Sequence, residues 1–73
     1  MTTEEAEAHV GKTVFSKKQY EYNGVTIKKL SPWILEAYTG GTQGTFLHPD
    51  SGRCQEFQIV DFLTPEAAKF YPR

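Results

Sequence analysis

The sequence predicts a mostly β fold with short terminal helices, curled into a small SH3-like open barrel of four to five antiparallel strands. Three observations carry that prediction. Asn23-Gly24 separates two short alternating segments, Tyr20 to Tyr22 and Val25 to Ile27, and this dipeptide accepts the positive φ angles of a type I′ hairpin turn. Pro49, Asp50 and Gly52 separate two further β-rich runs, 45–47 and 53–60, with side chains suited to reversing the chain. Segments between Lys12 and Leu63 are all short and punctuated by Gly, Pro or Asn, which suits a meander of short strands.

The elements follow in order. Thr2 and Thr3 precede Glu4, Glu5 and Glu7, so hydroxyl caps and acidic residues mark a helix start over 2–10, with Gly11 as its stop. Ala6, His9 and Val10 fall on one side of that helix. Thr13-Val14-Phe15 opens the β region, and the Asn-Gly turn sets Tyr22 opposite Val25 and Tyr20 opposite Ile27. Residues 31–41 have two readings. Ser31-Pro32 and Gly40 suit a helix start and stop, whereas Trp33, Ile34, Tyr38 and Thr39 suit a pleated surface. The strand is favoured, with Pro32 at its entrance where a missing N–H does no harm. Gly40 to Gly44 form a tip before the second hairpin, in which Phe57 and Ile59 alternate with Glu56, Gln58 and Val60. Thr64-Pro65-Glu66 then begins a short helix over 64–71. The organisation is one domain over 1–73, with the hairpins in 12–62 and no internal repeat or heptad.

Composition narrows the function classes. A chain of 73 residues buries only roughly 60% of its unfolded surface, and its core supplies about 3–5 kcal/mol. Self-association or a partner would therefore add stability. Aromatic residues are 14% of the chain, an economical way to bury area. Eight basic against nine acidic residues leave a net charge of −1, so no global field draws the chain to nucleic acid. No run approaches the ~20 apolar residues that span a bilayer, so no membrane contact is expected. The acidic start lacks a signal-peptide core, and the initiator methionine fits a complete natural chain. One cysteine, Cys54, permits no internal disulfide; with His9 and His48 it offers too few soft ligands for zinc. A cytoplasmic location and no metal or cofactor are expected.

Catalytic signatures are thin. His48-Pro49-Asp50 resembles the loop tripeptide of J-domain co-chaperones in three residues alone, and its flanks are β-rich with no basic helix ahead of it. It reads instead as a Pro-Asp turn beside a solvated histidine. His48 and Cys54 flank that turn as a conceivable nucleophile and base, yet a strand cysteine is usually a small buried hydrophobe. Glu21, Glu36, Glu56 and Asp61 read as solvated residues or cross-strand partners of Lys17, Lys28 or Arg53. The expectation is a chain that is not an enzyme.

One stretch leans toward binding. Lys12, Lys17, Lys18, Lys28 and Lys29 interleave with Phe15, Tyr20 and Tyr22, and rings with cations on a β face are used to hold single-stranded nucleic acid. The same lysines also suit an edge strand guarded against pairing. Of the ten aromatic residues, Trp33, Phe46, Phe57 and Phe62 read as core, while Tyr20, Tyr22 and Tyr38 are candidates for exposure. The leading expectation is a small non-enzymatic protein-binding module (adaptor, inhibitor or regulatory subunit) acting on a protein partner. Its aromatic and lysine face comprises Lys17, Lys18, Tyr20, Tyr22, Lys28, Lys29, Trp33 and Tyr38, since aromatic anchors dominate interface energetics. The alternative is a nucleic-acid-binding small β-barrel using the basic first hairpin.

Overall fold

The computed structural model describes residues 1–22 and 24–72, Tyr22 in its backbone alone. In chain order the elements are α1 (Thr3–Ala8), β1 (Thr13–Ser16), β2 (Tyr20–Tyr22), β3 (Val25–Ile27), β4 (Pro32–Tyr38), β5 (Gln43–His48) and β6 (Arg53–Gln58). A 3-10 turn (Ile59–Asp61), β7 (Phe62–Leu63) and α2 (Pro65–Lys69) complete the chain. The fold is mostly β with two short helices. Its strands form one five-stranded antiparallel sheet, ordered β6-β5-β4-β1-β7, and a separate two-stranded hairpin, β2-β3. No closed barrel is found among the described residues.

Local chemistry explains the ends of most elements. The Thr2 hydroxyl accepts from the Glu5 N–H at 3.2 Å while the Glu5 carboxylate accepts from the Thr2 N–H at 2.9 Å, a reciprocal capping box. The helix is shorter than 2–10: His9 already leaves helical geometry at φ −113°, and Gly11 turns the chain at φ +82°. Thr64 caps α2 through the Ala67 N–H at 3.2 Å, with Pro65 at the first helical position. Residues 32–38 are a strand, entered at Pro32. The first hairpin pairs Tyr20 with Ile27 and Tyr22 with Val25, the register its turn dictates; Asn23 itself lies outside the described residues.

The second hairpin pairs Gln43 with Gln58 through His48 with Arg53 without interruption. The strand expected to run on to Val60 stops at Gln58, where the 3-10 turn begins. That turn carries the chain from one edge of the sheet to the other. Four strand spacings in a flat sheet span about 19 Å, whereas the four steps from Gln58 to Phe62 reach at most about 14 Å. The sheet is therefore strongly curled, and the Phe57 and Phe62 rings from its two ends lie 5.8 Å apart.

The core fills the concave face. Val14, Trp33, Leu35, Phe46 and Phe62 are fully buried, joined by Ala6, Ile27 and Ile59. Phe46 stacks on Phe62 at 3.8 Å, and Trp33 meets Phe62 edge-on at 5.8 Å, the second being the edge geometry that aromatic quadrupoles favour. Of the four rings read as core, Trp33, Phe46 and Phe62 are wholly inside and Phe57 is half-buried.

Candidate functional site

The curled sheet sorts the expected binding residues into two groups. Trp33 has no exposed surface, so it holds the core and touches no partner. Tyr20 is half-buried, its ring 4.6 Å from Phe57 and 5.9 Å from Trp33. Tyr38 is half-buried and donates its hydroxyl proton to the Gly41 carbonyl at 2.6 Å. The Tyr22 side chain lies outside the described residues. Hairpin β2-β3 turns Ile27 and part of Tyr20 toward the core.

The four lysines do come together in the chain path. Lys17 and Lys18 leave β1, while Lys28 and Lys29 leave β3, at the two sides of the hairpin stem. Backbone bonds lock that stem: the Leu30 N–H donates to the Ser16 carbonyl at 2.6 Å, and the Ser16 N–H donates to the Ser31 carbonyl at 3.2 Å. Two residues thus oppose one, with Leu30 at φ +63°. This is the arrangement of a G1 bulge, a position that ordinarily takes glycine. The stem is not purely basic, since Lys18 pairs with Asp61 at 3.3 Å. The Met1 ammonium also docks there, donating to the Ile59 and Phe62 carbonyls at 2.8 and 2.7 Å. Its pKa is lowered from 8.0 by burial first and by Lys17 second. The acidic α1 consequently begins beside the lysines.

The convex face carries a groove. Phe15 pairs with Pro32 on one side and Leu63 on the other, so these three side chains share the face opposite Trp33. Helix α2 lies over β1 and β7 and buries Ala68. Between them opens a groove of about 200 Å³ lined by Phe15, Leu30, Pro65, Ala68 and Lys69. Phe70, the next residue after Lys69, is 86% exposed. A second hollow of about 240 Å³ lies between the helices, lined by Glu5, His9, Thr64, Pro65 and Glu66; no group of metal-ligating side chains occurs among the described residues.

The His48 and Cys54 pair does not form. Cys54 sits opposite Leu47, whereas His48 sits opposite Arg53, so the two project from opposite faces. Neither matches its expected environment. Cys54 is exposed, because its position in β6 turns outward, and His48 is buried against Trp33 at 4.9 Å. His48 Nδ1 accepts the Ser51 N–H at 3.3 Å, clamping the turn. Sequence reasoning missed Leu30 and the α2 groove; the available signal was a lone leucine between Lys28-Lys29 and Ser31-Pro32.

No protein-family model matches this chain, and neither a curated protein nor a solved structure matches it significantly. No helix is long and apolar enough to cross a membrane among the described residues.

Proposed function

We propose that the chain is a small non-enzymatic protein-binding module, an adaptor, inhibitor or regulatory subunit built as an SH3-like open barrel. In this reading it receives an apolar side chain, flanked by acidic residues of its partner, in the groove between β1 and α2. Short strands, tight turns and the curl of the sheet support the architecture. The observation that carries the site is Leu30, held at φ +63° while lining the groove. A left-handed L-residue costs roughly 1–2 kcal/mol, and such strain concentrates where a side chain serves a contact. Lys69 lines the groove and Lys28-Lys29 immediately precede Leu30, which favours an acidic flank. The exposed thiol of Cys54 fits a reducing cytoplasm.

Selection from a displayed library of random peptides tests this reading. The expected result is enrichment of an apolar residue neighboured by Asp or Glu, with affinity lost in Leu30→Gly and Lys69→Glu. Selected peptides that bind both variants as well as the parent refute it. The nucleic-acid reading ranks second: the stem lysines favour it, but Tyr20 packs inward and Lys18 is engaged by Asp61. It predicts binding of short single-stranded oligonucleotides that weakens steeply with salt.

A further inference from the structure

Two residues of the serine and threonine type stand directly ahead of proline, Ser31 and Thr64, and the structure sets them in opposite surroundings. Thr64 is buried, follows Asp61, Phe62 and Leu63, and accepts the Ala67 N–H at 3.2 Å. Ser31 follows Lys28, Lys29 and Leu30 in the surface turn between β3 and β4. Lys28, Lys29 and Pro32 are all exposed, and Ser31 itself is half-buried. Two cations and a proline around one accessible hydroxyl are features by which a serine kinase selects its substrate. Acidic residues of the kinase read the cations, and proline brings no N–H that would need a partner. The other serines lack this pattern: Ser16 is fully buried, and Ser51 follows Pro49-Asp50.

We propose that Ser31 is a phosphorylation site whose modification closes the groove between β1 and α2 to its partner; the second half rests on the binding role proposed above for that groove. In the transfer, Ser31 Oγ attacks the γ-phosphorus of a nucleoside triphosphate held by the kinase. The Oγ–P bond forms and the bond to the β-phosphate oxygen breaks. Nucleoside diphosphate leaves, and the hydroxyl proton passes to the base of the kinase. That hydroxyl has a single hydrogen, which it donates to the Lys28 carbonyl at 2.6 Å. The bond closes the turn that presents Leu30, at φ +63°, to the groove. A phosphoester has no hydrogen on that oxygen, and it sets a charge of about −1.5 to −2 beside the carbonyl, so the turn opens. The same charge pairs with Lys28 and Lys29, the cations that favour an acidic flank. Both effects weaken the hold of the groove on an acidic-flanked segment.

Treating the folded chain with ATP and a serine kinase selective for basic residues two and three positions ahead of its target tests the site. Intact mass and peptide mapping should find one phosphate per chain, on Ser31, and none there in Ser31→Ala. Lys28→Ala combined with Lys29→Ala should take up phosphate about tenfold more slowly. Amide NMR spectra of the phosphorylated chain should show Leu30 and Phe15 displaced, with Ser51 in the distant turn unmoved. Peptides selected on the parent should bind the phosphorylated chain about tenfold more weakly. A folded chain that takes no phosphate at Ser31 overturns the site. Unmoved Leu30 and Phe15 amides overturn the switch, as do peptides that bind the phosphorylated chain as tightly as the parent. Peptides indifferent to Leu30→Gly refute the groove reading alone, and the phosphate and amide readouts still decide the site and the turn.

Discussion

Replacing Leu30 by glycine and, separately, by alanine distinguishes a strained binding residue from an ordinary packing residue. Leu30 occupies the left-handed region at φ +63° and is half-buried. Glycine there relieves about 1–2 kcal/mol of backbone strain. It forfeits roughly 1 kcal/mol of apolar burial, half the value of a fully buried leucine, and 0.5–1 kcal/mol or so in chain entropy. The sum places Leu30→Gly within about 1 kcal/mol of the parent. Leu30→Ala loses a similar burial and keeps the strain, so it should be less stable than Leu30→Gly by about 1 kcal/mol, the reverse of the usual order of these residues. Urea unfolding followed through Trp33, the only tryptophan, measures both, provided the denaturant slopes agree. An alanine variant as stable as the glycine variant refutes the reasoning, because the bulge would then impose no left-handed constraint.

Two further predictions concern the scaffold. A Cβ added at Gly44 would lie 2.9 Å from Leu35 Cδ1 and 3.3 Å from the Ala37 carbonyl oxygen; Leu35 is fully buried, so Gly44→Ala should cost about 1–3 kcal/mol in the same unfolding assay. The Thr2 N–H holds the Glu5 carboxyl below its ordinary 4.5, so the folded state favours its ionised form. That contribution to stability is complete above the unfolded value and disappears as pH falls through the lower folded one. Carboxyl NMR titration should find the Glu5 midpoint below the ordinary 4.5, and Thr2→Pro, which removes that N–H, should raise it.

How far the fold could be read in the sequence follows the range of the interactions involved. The register of the first hairpin at its turn, both helix caps and the entrance of β4 at Pro32 rest on residues within four positions of one another, and all are as the residues dictate. The pairing of β1 with both β4 and β7 joins segments up to about fifty residues apart. No local signal specifies it. The 3-10 crossing at Ile59–Asp61 depends on the curl of the whole sheet, and without that curl a strand to Val60 was the simpler reading. The candidate site divides the same way. The lysines cluster because they are close in sequence. Tyr20 leans inward and Trp33 is buried because a small core needs them to fill it, and alternation alone does not say which face the hairpin turns to the core.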